Sequence, residues 1–236
     1  MEALLTVDQV GVKFERDVLK NVSFDLYKGE VLAIIGPNGA GKSVLLRALL
    51  GLIPYSGTIL WKKDVRIGYV PQRMAVEQDL PLSVREFFSF KKAHKGTISE
   101  VLKAVGLNGE KILNQRLGTL SGGQLQRVMI GWSLIDHPDV LFYDEPTTGI
   151  DAGGEEAIYL LLKRLQDEQK LSVVVVSHDL NMVYKYATKV VCINKQMVCF
   201  GHPMDVLDSK SLSHLYGHEA GLYEHHHDGT HQHKGQ

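Results

Sequence analysis

The chain has 236 residues, and 26 Lys plus Arg against 27 Asp plus Glu leave a formal net charge of −1. That balance lacks the basic footprint of a nucleic-acid binder, so no nucleic-acid partner is expected. A hydrophobic share of 44% with 22% charged residues fits a globular chain with a sizeable core. No apolar run reaches the length that would cross a bilayer, and residues 1–8 lack the basic and apolar pattern of a signal peptide.

Residues 23–28 alternate apolar and polar, as a half-buried strand does. Residues 31–35, Val-Leu-Ala-Ile-Ile, are continuously apolar and read as a strand covered on both faces. They lead into Gly36-Pro37-Asn38-Gly39-Ala40-Gly41-Lys42-Ser43, which satisfies the phosphate-binding pattern G-x-x-x-x-G-K-[ST]. Residues 43–50 then read as a helix ended by Gly51, and short strands follow at 57–61 and 66–70, stopped by Pro71.

The character changes after Gln72. Ser83 with Glu86, and Thr97 with Glu100, both have the capping-box spacing that starts helices. Residues 73–135 therefore read as a helical insertion. Residues 140–143 and 171–176 return to buried-strand character around a helix within 155–169, a βαβ alternation that argues an α/β core with a mostly parallel sheet. Residues 190–193 and 197–200 look like the two strands of a hairpin. They carry the two cysteines, Cys192 and Cys199, which are expected as buried apolar thiols in a reducing compartment, with a metal-binding pair as the alternative. From Gly217 the chain is polar, rich in histidine and expected to be mobile.

Three segments carry chemistry. In the glycine-rich loop, Gly36, Gly39 and Gly41 let the backbone wrap an anion, and the following helix offers free N–H groups. Lys42 should reach the β- and γ-phosphates, and the Ser43 hydroxyl should ligate Mg²⁺. The apolar run 140–143 delivers two carboxylates: Asp144 suits Mg²⁺, and Glu145 stands beside it. Between them, Leu120-Ser121-Gly122-Gly123-Gln124 presents a hydroxyl, backbone N–H groups and a helix start, a second anion cradle without a lysine.

This ordered set resembles the ATPase subunit of the ATP-binding-cassette (ABC) transporters, over nearly the whole chain. The resemblance implies an α/β fold: a P-loop NTPase core with a mostly parallel sheet, an antiparallel β subdomain and an inserted helical subdomain. Residues 1–216 would form this nucleotide-binding domain and 217–236 a tail. ATP and Mg²⁺ would be bound by the loop, including Asn38, Ala40 and Val44. Glu145 would act as general base on the attacking water. Gln72 would sense the γ-phosphate and the ion, and His178 would contact the γ-phosphate. Asp151 would communicate across a dimer, with an N-cap of the next helix as its alternative. Phe14 is a candidate to stack on adenine, and a core position is its alternative. Ser121, Gly122, Gly123 and Gln124 would close on ATP held by another subunit. The working unit would then be a homodimer on integral membrane permease subunits, at the cytoplasmic face of the cell membrane, served indirectly by an extracytoplasmic metal-binding protein.

The remainder of the chain points to the cargo. Six of the eleven histidines fall in residues 218–236. His225, His227, His231 and His233 can converge on one zinc ion, for which imidazole is a good ligand. The run is broken by Asp228-Gly229-Thr230, unlike the contiguous histidines of a purification tag. A histidine-rich tail without function is the other reading. Residues 221–227 and the linker Ile67-Gly68-Tyr69-Val70-Pro71-Gln72 resemble the zinc-importer ATPases of the zinc/manganese uptake group. A manganese or iron(II) version of the same machine, or a non-transport ABC ATPase, remains open at this level.

Overall fold

The computed structural model describes residues 3–72, 77, 79–92, 94–145 and 152–217. Two sheets organise the chain. The first is antiparallel, with β1 (Ala3–Lys13) between β2 (Asp17–Tyr27) and β4 (Ser56–Trp61). The second has six strands in the order β5-β6-β7-β3-β8-β9. They are β3 (Val31–Ile35), β5 (Ile67–Val70), β6 (Val140–Asp144), β7 (Ser172–Val176), β8 (Lys189–Ile193) and β9 (Met197–Gly201). All its pairings are parallel except β8 with β9. This is the fold class expected from the sequence.

The continuous apolar runs are explained by coverage of both faces of this sheet. Leu32, Ile34, Val140, Phe142, Val174 and Val176 alternate onto one face, against β1, β2 and α1 (Lys42–Leu49). Ala33, Ile35, Leu141, Tyr143, Val173 and Val175 point to the other and join the helical side of the core. Each fully buried Val, Leu or Ile contributes about 1.5–3 kcal/mol relative to exposure, which holds these strands in the centre of the molecule. Phe142 meets Trp61 edge-on at 5.9 Å, so the two sheets are locked by an aromatic pair as well.

Among the described residues, four α-helices lie between β5 and β6: α2 (Val84–Ser89), α3 (Lys95–Ala104), α4 (Gly109–Leu113) and α5 (Gly122–Leu134). The capping box at α2 is present, with Ser83 accepting from the Glu86 N–H and Glu86 reaching back to the Ser83 N–H. The one expected at Thr97 is not: α3 starts earlier, with His94 as its N-cap, and Thr97 falls inside the helix. Two arginines tie down the carbonyl end of α3. Arg127 donates to the Val105 carbonyl at 2.9 Å, and Arg164 of α6 (Ala152–Gln169) donates to that of Ala104.

The remaining helices are α7 (Leu180–Tyr186), α8 (Pro203–Val206) and α9 (Ser209–Tyr216). No helix among the described residues is long and apolar enough to cross a membrane.

The cysteine expectation needs correction. Cys192 faces Cys199 across the β8–β9 pair with Cα atoms 4.9 Å apart, and the two sulfurs are bonded rather than free. Directly opposed positions on an antiparallel pair bring Cα atoms within the range a disulfide spans.

Candidate nucleotide site

The site lies at the carboxyl ends of β3, β6 and β7, where ligands of open α/β sheets bind. Register places Asp144 beside Val176, and Val176 beside Ile34, so the three strands end together. The Glu145 N–H donates to the Val176 carbonyl at 3.1 Å, and the Ser177 N–H donates to Ile34 at 3.1 Å. Each strand thus holds the start of its neighbour's loop.

The phosphate loop follows β3 directly. Gly36 has φ 153, and a Cβ there would sit 2.0 Å from the Ile193 carbonyl oxygen, so no other residue fits. Gly41 caps α1 with φ 102, and its position leaves the first N–H groups of the helix uncapped by any side chain. Those groups, with the positive end of the helix dipole, face whatever anion the loop takes. Asn38 and Gly39 are exposed, Ala40 is buried, and Val44 is half-buried on α1.

Lys42 is buried, and its ammonium donates to the carbonyls of Gly36 at 2.8 Å and Pro37 at 3.1 Å. The cation is therefore held in the loop by weak neutral acceptors, which phosphate oxygens outcompete as charged ones. Burial pushes its pKa down, against the pull of Glu145 and Asp144.

Asp144 is buried, and its carboxyl is held above the ordinary value, first by burial and then by the Glu145 carboxylate. Arg47, the Ser43 hydroxyl and Lys42 pull the other way. Ser43 Oγ donates to Asp144 Oδ1 at 3.5 Å. A hard divalent cation prefers such oxygens. It would supply the charge that a desolvated carboxylate beside a second carboxylate lacks, so these residues fit Mg²⁺.

Glu145 has φ 44, an unusual left-handed conformation for a residue other than glycine. Its carboxylate accepts from the Gln72 side-chain amide. Gln72, Glu145, Asp144, Ser43 and Lys42 therefore form one cluster. His178 is exposed on the loop after β7, and Asp179 behind it caps α7 by accepting from the Asn181 and Met182 N–H groups.

Ser121, Gly122, Gly123 and Gln124 stand apart. Ser121 caps α5 by accepting from the Gln124 N–H at 3.3 Å, while Gln124 Oε1 accepts from the Ser121 N–H at 3.0 Å. Ser121 and Gly122 are exposed, and a Cβ at Gly123 would meet open space. Among the described residues no hydrogen bond joins this segment to the phosphate loop. Phe14 is 57% exposed at the turn after β1, which excludes its core alternative. Asp151 and the histidines His225, His227, His231 and His233 lie outside the described residues.

Sequence reasoning did not single out Arg47, whose charge acts on Asp144, nor Ser177 and Tyr159, which buttress the His178 loop. Arg47 had a signal, one helical turn beyond Ser43. Tyr159 had none, because only the packing of α6 brings it to β7.

The family model for the ABC transporter domain matches residues 19–148, more than half of the chain. The chain belongs to the ABC transporter ATPase family. The zinc import ATP-binding protein ZnuC of Pseudomonas savastanoi pv. phaseolicola is 39% identical, over 98% of this chain and 88% of that protein. Its namesake in Buchnera aphidicola subsp. Schizaphis graminum is 37% identical, over 98% of this chain and all of that protein. Among solved structures, CbiO1 of Clostridium perfringens, part of the ABC transporter complex cbiONQ, superposes with a TM-score of 0.77. It is 28% identical and covers 91% of this chain and 94% of its own. Membership implies ATP and Mg²⁺ as the nucleotide and ion.

Proposed function

We propose that this chain is the ATP-hydrolysing subunit of an ABC importer for zinc, working as a homodimer beneath integral membrane permease subunits at the cytoplasmic face. The observation that carries the ATPase part is the cluster of Lys42, Ser43, Gln72, Asp144 and Glu145 at the carboxyl ends of the parallel strands β3, β5 and β6. The zinc part rests on relatives named for zinc import that align over almost the full chain.

The loop N–H groups and Lys42 hold the β- and γ-phosphates. Ser43 and Asp144 would hold Mg²⁺, which when bound would supply positive charge to the phosphate oxygens. Glu145 accepts a proton from the attacking water, once Gln72 has exchanged its carboxylate for the ion and the γ-phosphate. His178 is exposed and free to turn toward the same phosphate. Ser121, Gly122 and Gly123 supply the helix start that closes on ATP of a second copy. Asp151 contributes to that interface, and Phe14 stacks on adenine. Residues 1–216 act as the nucleotide-binding domain, with 73–135 as the helical part that meets the permease.

Zinc uptake into cells that depend on this chain tests the assignment. Accumulation of radioactive zinc should fall to background with Lys42→Ala, while manganese uptake stays unchanged. Loss of manganese or iron(II) uptake with zinc uptake intact would reassign the cargo. The tail has its own test. Zinc should bind through His225, His227, His231 and His233, and binding should fade below about pH 6 as imidazoles protonate. Undiminished calorimetric binding after removal of residues 218–236 would place the ion elsewhere.

A further inference from the structure

Behind the exposed histidine lies a buried polar contact that the catalytic reading does not use. Tyr159 of α6 is 4% exposed, and its hydroxyl donates to Ser177 Oγ at 2.8 Å. Ser177 is equally buried and precedes His178. The same Ser177 oxygen accepts the Asp179 N–H at 3.1 Å, on the other side of the histidine. The Ser177 N–H is anchored to Ile34 of β3. His178 is thus the one exposed residue in a three-residue turn whose flanks meet at one oxygen.

The tyrosine is itself rigidly placed. Its ring stacks on Tyr186 of α7 at 5.8 Å and 13°. One turn earlier on α6, Glu156 pairs with Lys185 of α7 at 2.6 Å. Helix α7 grows directly from the Asp179 cap. A phenylalanine would keep the ring stacked on Tyr186 and lose the hydroxyl's bond to Ser177, the bond that orients that serine.

We infer that Tyr159 is a positioning residue for His178: through Ser177 it fixes the turn that carries the histidine and ties that turn to α6. This rests on the reading of His178 as the γ-phosphate histidine. A displaced turn leaves ATP bound by the phosphate loop but lowers the fraction of complexes with the imidazole in place.

The test is steady-state hydrolysis by the full chain. Tyr159→Phe should lower kcat about tenfold while the KM for ATP stays within about twofold, as expected for an interaction felt mainly in the transition state. Ser177→Ala should lower kcat at least as far, since it also frees the Asp179 N–H, and the double variant should be no worse than Ser177→Ala alone, because the Tyr159–Ser177 contact is already gone. A buttress with only a structural role would lower the melting temperature and leave kcat alone. Parental kcat in Tyr159→Phe, or losses that multiply in the double variant, would overturn the inference. His178→Ala separates this from the underlying reading. If it keeps parental turnover, the histidine assignment and the positioning role both fall. If it is inactive while Tyr159→Phe is parental, only the positioning role falls.

Discussion

The chain carries two anion cradles at helix starts, and they are built in opposite ways. The one at Gly36–Ser43 is exposed at Asn38 and Gly39 but buried from Ala40 to Lys42, uncapped by side chains, and supplied with a buried lysine and two carboxylates. The one at Ser121–Gln124 is exposed, capped by its own serine and glutamine, and has no cation of its own. The first has the uncapped N–H groups and buried cation that suit a phosphate chain. The second is satisfied by itself and has room above Gly123, as suits a surface that meets a nucleotide held elsewhere. On the proposed reading, binding and closure fall on two sites of one chain, and ATP would drive closure only in so far as it favours the closed pair over the open one.

The largest effect that bears on this contrast belongs to Glu145. Glu145→Gln should reduce turnover about 10²–10⁴-fold, since the amide cannot accept a proton, while ATP affinity stays near parental. Dimer should then accumulate with ATP in gel filtration. Lys42→Ala should instead weaken ATP binding by roughly 1.5–3 kcal/mol, or about 10- to 150-fold in equilibrium titration. Equal affinity in variant and parent would remove the first cradle from the account.

A smaller pair of variants sharpens the second cradle. Ser83 and Ser121 cap their helices with the same box geometry. Replacing either with alanine should cost about 1 kcal/mol, near 2–4 °C in melting temperature for a chain of this size. Only Ser121→Ala should also lower hydrolysis. Equal hydrolysis in the two would make the second cradle a cap and nothing more.

The smallest effect has an unexpected sign. Asp144 titrates above its ordinary value in the folded chain, so the native state binds its proton more tightly than the unfolded state. The stability from this group is present at low pH and is lost as pH rises from the ordinary carboxylate value through the raised one. At neutral pH the ionised, desolvated carboxylate is therefore a burden. Asp144→Asn should raise the nucleotide-free melting temperature by a few degrees while abolishing the benefit of Mg²⁺ to ATP binding. A lower melting temperature would contradict the burial argument.

Much of this was legible in the sequence because the chemistry sits on local motifs. The loop from Gly36 to Ser43 and the acid pair at 144–145 each follow a run of buried-strand residues, and the structure places those runs in one sheet with β7 between them. What escaped was non-local or irregular. Strand β1 was not separately visible because Gln9, at φ 48, interrupts the alternation and shifts the register between Val7 and Val10. Helix α7 has only seven residues, and its start is written in Asp179 alone. The partnership of Tyr159 with Ser177 spans 18 residues and depends on how α6 lies on the sheet. The bond between Cys192 and Cys199 was missed because composition argues from compartment, whereas register decides which residues face each other.

The central claim is that each nucleotide needs the deep cradle of one copy and the exposed cradle of another. Mixing Ser121→Arg chains with Lys42→Ala chains tests it most directly. Each variant alone should hydrolyse ATP poorly, and the mixture should recover activity, because one composite site per heterodimer keeps both an intact Lys42 and an intact Ser121. Parental hydrolysis by Ser121→Arg alone, or no recovery in a mixture shown to exchange subunits, would contradict the account.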